Sequence, residues 1–283
     1  MPVGRGYLSQ PMPTVLVTGP SSGIGRVTAL ELGRRGDHVF AAGRSRARIE
    51  PVVASIRAAG GSAQFIELDL ASMASVREAA ARMAESGRAL DLVVNNAGVG
   101  VNRRGVTEDG FEVHFGINHL GHFLLTRELL PSLSPRARVV SLASAMHFRA
   151  NGIDFDRMRS PTRLVGLAEY SVSKLANVLF IRELARRHPK LGAYAVHPGL
   201  ARTPLIPGPI RLLGGRRMLS PEQGADTVLW CATAAEVGNE SGHYYQNRVK
   251  TPPSAPAQDD DLARELWDRS TAWCGVGGAG SVP

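Results

Sequence analysis

Thr14-Val15-Leu16-Val17-Thr18-Gly19-Pro20-Ser21-Ser22-Gly23-Ile24-Gly25 is the stretch from which the fold can be read. A run of β-branched and apolar residues enters a loop with three glycines, and an amphipathic stretch follows to about residue 35, stopped by Gly36. Strand, glycine-rich turn and helix in that order open a parallel sheet covered by helices. Glycines there let the backbone approach a bound anion, and the helix start offers N–H groups and a favourable dipole. The spacing is G-x-x-x-G-x-G rather than the general G-x-G-x-x-G fingerprint. A turn that needs glycine for steric reasons alone would look the same.

Outward from this unit, short apolar runs alternate with amphipathic stretches. Strands are expected at 38–42, 63–68, 90–95, 138–142, 193–197 and 242–246. Helices are expected at 51–59, from a Ser72 cap to about 86, at 107–133, 169–187 and 221–233, the third crossed by Gly110, Gly116 and Gly121. The pattern predicts an α/β chain: a single doubly wound Rossmann domain over 14–275, with a mostly parallel seven-stranded sheet and helices on both faces. Residues 1–13 read as a flexible lead-in and 276–283 as a disordered tail, with loops at 204–215 and 251–256.

The 283 residues, 43% of them hydrophobic, can bury a full core as one unit. A net charge of +8 invites an anionic partner, but the arginine pairs at 34–35, 103–104, 186–187 and 216–217 are scattered and aromatics are only 6%. No basic stripe interleaved with aromatics points to nucleic acid. No apolar run approaches the ~20 residues of a membrane span. Cys231 and Cys274 lack metal spacing and fit free thiols in a reducing compartment, so a cytoplasmic location is expected. His119 and His122 lie three apart on a helix, yet no acid or cysteine completes a set with them or His114, and no metal is expected.

In a doubly wound sheet, ligands bind beyond the carboxyl ends of the strands, so the strand-end loops decide function. The second strand ends in Gly43-Arg44-Ser45, where an acidic residue would hold a ribose 2′-hydroxyl. A guanidinium suits a 2′-phosphate instead, which favours NADP over NAD; a plain surface cluster with Arg46 and Arg48 is the other reading. Asp69, in Leu68-Asp69-Leu70, could accept from an adenine amino group or cap the next helix, for which Ser72 is the better cap. Asn95-Asn96-Ala97-Gly98 is small and polar where a cofactor would cross the sheet. Ser144 follows the fifth strand, and His197-Pro198-Gly199 the sixth, with Thr203 soon after. Tyr170 and Lys174 sit four apart, on one face of a helix. An ammonium held near a phenol favours phenolate, which turns a poor proton carrier into a useful one. His147 could line a pocket, whereas His197 reads as structural.

The ordered set T-G-x-x-x-G-I-G, N-N-A-G, Ser, Y-x-x-x-K and P-G resembles the short-chain dehydrogenase/reductase family from Thr14 to about Gly275. N-H-L-G-H-F-L-L-T at 118–126, K-L-A-N-V-L-F at 174–180, H-P-G-x-x-R-T at 197–203, S-G-H-Y-Y at 241–245 and R-E-L-W at 264–267 are similar to its retinol dehydrogenase-like branch. So is the long interval from Ser144 to Tyr170. Pro20 departs from the small residue usual after T-G, and residues 1–13 lack the apolar anchor of animal retinol dehydrogenases. The resemblance implies hydride transfer between a nicotinamide and a carbonyl or carbinol carbon. It makes Tyr170 the general acid or base and has Lys174 tune it and hold ribose hydroxyls. Ser144 would bind the substrate oxygen, and Asn118 would anchor a water-linked proton relay through Lys174. The cofactor-binding set it implies is Gly19, Ser21, Ser22, Gly23, Ile24, Gly25, Arg44, Asp69, Leu70, Asn95, Ala97, Gly98, Tyr170, Lys174, Pro198, Gly199, Leu200 and Thr203. It further suggests a homodimer or homotetramer built on the 107–133 and 169–187 helices. Segments 151–165 and 203–219 are expected to cover a small, fairly apolar carbonyl or alcohol substrate, the second as a lid or as a fixed cap. The competing expectation is a catalytically silent NADP(H)-binding sensor or scaffold, disfavoured because Asn118, Ser144, Tyr170 and Lys174 are all present.

Overall fold

The computed structural model describes residues 12–202, 218–238 and 240–276. Residues 1–11 of the expected lead-in, Thr203, most of the 203–219 cover and the tail beyond 276 lie outside the described residues. Strand β1 (Thr14–Thr18) leads through the glycine turn into α1 (Gly23–Arg34), then β2 (His38–Gly43), α2 (Arg46–Ala58), β3 (Ser62–Glu67), α3 (Met73–Glu85) and β4 (Leu90–Asn95). Next come α4 (Val113–Phe115), a π-helical turn (Gly116–Leu120), α5 (Gly121–Leu129) and β5 (Leu133–Leu142). The chain continues through α6 (Leu167–Arg187), β6 (Gly192–His197), α7 (Pro221–Thr233), β7 (His243–Gln246), β8 (Val249–Lys250) and α8 (Asp260–Cys274).

The strands form one sheet in the order β3-β2-β1-β4-β5-β6-β7-β8. Every pairing is parallel except β7 with β8. Alternate strand residues feed two cores. Leu16, Phe40 and Val93 face α3, α5, α6 and α8, while Val15, Val39 and Val94 face α1, α2 and α7. The order reverses at β1, flanked by β2 and β4, so the crevice for a ligand opens at the carboxyl ends of β1 and β4.

Several expectations change in detail. The sheet has an eighth strand, β8, too short at two residues to show a period. Helix α2 starts at Arg46 and carries Pro51 inside it, where the sequence suggested a start at the proline. The helix expected over 107–133 begins only at Val113, passes through the π turn and ends at Leu129, and β5 starts at Leu133 rather than 138. Ser72 is the N-cap of α3 but makes no side-chain cap; Asp109 Oδ2 accepts from the Met73 N–H at 2.9 Å instead. Val276, assigned to the tail, still packs on the core.

Helix α8 is the element the sequence reading missed. Asp259 caps it, accepting from the N–H groups of Asp261 and Leu262, and Gly275 ends it in the left-handed region. Its apolar stripe docks on α5 and α6 through Trp267, whose ring lies 5.1 Å from Phe123 and 6.1 Å from Phe180. The Arg127 and Arg187 guanidiniums stand over the same indole at 5.1 and 4.9 Å. Part of the surface of the two helices expected to carry a subunit contact is thus covered from within the chain. No helix among the described residues is long and apolar enough to cross a membrane.

Candidate active site

The first loop is built by close approach. A Cβ on Gly19, whose φ is +67°, would stand 2.9 Å from Ala97 Cβ, and one on Gly25 would stand 2.2 Å from Asn96 Nδ2. Only glycines let the β1–α1 turn lie on the end of β4. Asn96 Nδ2 donates to the Thr18 carbonyl at 2.7 Å, and Thr18 Oγ1 accepts from the N–H groups of Asn96 (3.0 Å) and Ala97 (2.9 Å). Ser22, the N-cap of α1, makes no side-chain cap, so the first-turn N–H groups keep their capacity for an anion. Pro20 is buried in the turn, and its missing N–H leaves this arrangement in place. A cradle of this shape fits a pyrophosphate.

Four predicted residues meet on the other side of the crevice. Tyr170 lies in the first turn of α6, hydrogen-bonded to the Ser144 side chain. Burial raises the phenol above its ordinary pKa, and the bond with Ser144 opposes that. Lys174, 4% exposed, has Nζ 5.7 Å from the centre of the Tyr170 ring and donates to the Leu142 carbonyl at 2.9 Å. Burial lowers Lys174 to about 8. The expected depression of Tyr170 by Lys174 is therefore not what this arrangement produces; desolvation of both groups dominates.

Asn118 stands in the π turn, a helix irregularity that often marks functional sites. Its Oδ1 accepts from Val99 N at 2.8 Å, and its Nδ2 donates to Ser173 Oγ at 3.0 Å. Ser173 in turn donates to the Tyr170 carbonyl at 2.8 Å, so Asn118 is linked to the backbone of the Tyr170 turn. Gly98 completes the contact, since a Cβ there would lie 2.9 Å from Asn118 Oδ1 and 4.0 Å from Lys174 Nζ.

These elements match the family model for short chain dehydrogenases over residues 13–207. The chain belongs to the short-chain dehydrogenase family. It falls in the retinol dehydrogenase-like branch: human retinol dehydrogenase 13 is 40% identical over 94% of this chain and 86% of its own length. Mouse polyprenol dehydrogenase is also 40% identical, over 96% of this chain and 87% of its own length. Among solved structures, a Mycobacterium paratuberculosis protein superimposes with a TM-score of 0.77 at 34% identity, covering 93% of each chain. A Burkholderia cenocepacia short chain dehydrogenase in complex with NADP gives 0.69 at 27% identity, covering 87% of this chain and 98% of its own.

Within this dehydrogenase the other predicted residues divide. Gly23 opens α1 at the cradle, and Ser21 beside it is partly exposed. Pro198, Gly199 and Leu200 follow β6, with Leu200 exposed. Arg44 ends the β2 loop, largely exposed, with its guanidinium 4.0 Å from the Asp69 carboxylate. Asp69 uses Oδ1 to accept from Ala71 N at 2.9 Å, a local turn bond. Three side chains face away from the crevice. Ile24 is buried near Gly224, Leu70 is covered by Gly121, and Asn95 donates to Thr126 of α5 at 3.0 Å inside the core. For Asn95 the cause is strand parity, since alternate residues point to opposite faces. Its neighbour Asn96, absent from the predicted set, is the one that ties the two loops together.

The histidines are structural braces in this frame. His147 is fully buried; Nδ1 lies 2.6 Å from the Ser144 carbonyl and Nε2 accepts from Ser254 N at 3.1 Å, which pins the Ser144 loop. His122 Nδ1 faces the Asn118 carbonyl at 3.1 Å and so carries the proton, leaving Nε2 to accept from Thr18 Oγ1 at 3.0 Å. Burial, aided by Lys174 and opposed by the Asn118 bond, lowers His122 to about 4 and keeps it neutral. A buried chain thus joins the N-N-A-G loop through Thr18 and His122 to Asn118. Among the described residues no group of three or more candidate ligands could hold a metal.

Proposed function

We propose that this short-chain dehydrogenase is an NADP(H)-dependent oxidoreductase acting on the carbonyl or alcohol of a fairly apolar small molecule, with Tyr170 as acid in reduction and base in oxidation. The observation that carries the reading is the convergence of Tyr170, Ser144, Lys174 and Asn118 beside the glycine cradle. When bound, the cofactor supplies or takes a hydride at C4 of its nicotinamide.

The cradle of Gly19, Gly23 and Gly25 with the start of α1 holds the pyrophosphate, and Arg44 meets the 2′-phosphate where an acid would be required for NAD. Lys174 has three N–H donors and gives one to Leu142, leaving two for ribose hydroxyls and for proton traffic. The Tyr170 hydroxyl gives its proton to the substrate oxygen as the carbon is reduced. Ser144 donates to the same oxygen and stabilises charge there. The proton lost from Tyr170 is restored through Lys174 and the Asn118 turn. Retinol and polyprenol, the alcohols in the names of the two relatives, are apolar, which supports an apolar substrate here.

NADPH and NADH fluorescence titrations followed by an aldehyde and ketone panel test this reading. Arg44→Ala should weaken NADPH by about tenfold or more and leave NADH nearly unchanged. Tight NADPH binding without turnover of any carbonyl would favour the sensor or scaffold instead.

A further inference from the structure

The interval between Ser144 and Tyr170 holds an insert, 151–165, whose attachment is unusual. Its anchor is Glu112, 2% exposed, at the start of α4. The Glu112 carboxylate accepts from the N–H groups of His114 and Phe115, both at 2.9 Å, from His114 Nδ1 at 2.8 Å, and from the Thr162 hydroxyl of the insert. The Glu112 N–H donates to the Met158 carbonyl at 2.8 Å, and the Asn102 N–H to that of Val165 at 2.7 Å. Burial works against ionisation of Glu112, but the bonds from His114, Thr162 and Phe115 outweigh it and hold the carboxyl below its ordinary range. Glu112 is a carboxylate, an acceptor only.

His114 is fully buried between two such acceptors. Nδ1 faces the Glu112 carboxylate, and Nε2 lies 3.1 Å from the Gly100 carbonyl. A neutral imidazole has one N–H and leaves one of these contacts without a proton; the imidazolium satisfies both. The contrast with His122 is direct, because there one neighbour is a hydroxyl that can donate. The His114 ring also meets the catalytic helix. It packs edge-on against Tyr170, with ring centres 6.2 Å apart and planes at 79°. Gly166, at φ +72°, lets it do so: a Cβ there would fall 2.4 Å from His114 Cε1. The Gly166 carbonyl accepts from the Tyr170 N–H at 2.9 Å, so His114 rests on the first turn of α6.

We propose that Glu112 and His114 form a buried ion pair that ties the insert to the catalytic turn, with the His114 imidazolium as a positioning residue for the Tyr170 phenol. The inference rests on the hydride-transfer reading above. The side chains that meet His114 are Glu112 and Tyr170, with Thr162 reaching the pair from the insert. Those that meet Tyr170 are His114 from α4, Ser144 from the β5 loop and Lys174 from its own helix. A positive charge edge-on to the phenol favours phenolate, and the fixed ring limits where the hydroxyl can point.

The first test uses the wild-type protein. Among the eight histidines, uniformly ¹⁵N-labelled at their rings, one should show both nitrogens protonated at pH 7.5, and this signal should vanish in His114→Phe. A neutral tautomer at His114 overturns the proposal. The second test compares Glu112→Gln with the double variant Glu112→Gln/His114→Phe, which leaves no uncompensated buried charge. Each should lower kcat by about 10- to 100-fold with the NADPH Kd unchanged. In the oxidation direction the pH limb that reports the phenol should move upward by about half a unit in the double variant, where the His114 cation is gone. Wild-type kcat with an unmoved limb overturns the proposal. If neither variant folds, Thr162→Val cuts only the link to the insert and should lower kcat in the same sense. Failure of the parent reading is separable: there Tyr170→Phe itself would keep its turnover, whereas here Tyr170→Phe is silent while the pair variants behave as wild type.

Discussion

The two sides of the crevice are constructed by different means. The cofactor side is made of short strand-end loops in close approach: the Gly19 backbone on Ala97, and Gly25 on the Asn96 side chain and the Gly19 carbonyl. The Tyr170 side is made of buried polar side chains from distant segments. Glu112 reaches Thr162, His119 Nε2 lies 3.1 Å from Ser270 Oγ, and His147 accepts from Ser254 N. Backbone approach needs glycine at set spacings and leaves a motif in the sequence. Side-chain bracing needs only one polar residue at each end and leaves none. The first side is therefore held by close approach at glycines, and the second by buried polar contacts between distant segments.

Removing the cover over the second side should have the largest effect on stability. Trp267→Ala empties the space between Phe123, Phe180 and two guanidiniums, and should destabilise the fold by about 3–5 kcal/mol in chemical denaturation. NADPH should still bind the protein that remains folded, because nothing in the cradle touches α8. Loss of cofactor binding by the folded protein would break the division between the sides.

Acid should act on the second side next. Burial is the main cause that lowers His119 to about 3 and His122 to about 4, against about 6.5 in an unfolded chain. Between pH 6.5 and 4 the unfolded chain takes up protons that the folded one refuses. The stability contributed by these neutral rings is complete above pH 6.5 and falls as pH drops, by about 2 kcal/mol for each ring at pH 5. Denaturation midpoints that stay level from pH 7.5 to 5 would show that the two rings are not held neutral.

Gly25→Ala sharpens the comparison from the other side. The methyl would push Asn96 away from the Thr18 and Gly19 carbonyls, at a cost of about 2 kcal/mol, and weaken NADPH by roughly 30-fold. The pH dependence of stability should keep its wild-type shape. A variant that binds NADPH as well as the wild type would mean that the cradle tolerates a side chain.

This difference also explains what could be read without a structure. The alternation of apolar runs and amphipathic helices gave the doubly wound sheet, and the ordered strand-end motifs placed Tyr170, Ser144, Lys174 and Asn118 together. Helix α8 was legible in principle: Asp259 as cap, Ala263, Leu266, Trp267, Ser270 and Cys274 on one stripe, and Gly275 as the stop. The π turn was not, since no residue pattern in 116–120 marks an i→i+5 bond. Asn95 was expected at the cofactor, and that its side chain turns toward Thr126 in the core follows from strand parity, which two adjacent asparagines do not show. Glu112 and His114 were invisible as a pair because their meaning comes from Gly100, Thr162 and Gly166, brought in by the fold. Spacing likewise shows that Lys174 and Tyr170 are near, but that burial is the larger influence on both comes only with the fold.

The central claim is that Tyr170 carries the proton in an NADPH-linked reduction. Single-turnover oxidation of bound NADPH by a carbonyl substrate, measured for the wild type and for Tyr170→Phe, tests it most directly. The account predicts NADPH binding within about twofold of wild type and a rate lower by about 10²- to 10⁴-fold for Tyr170→Phe. A Tyr170→Phe protein that oxidises NADPH at the wild-type rate would contradict it.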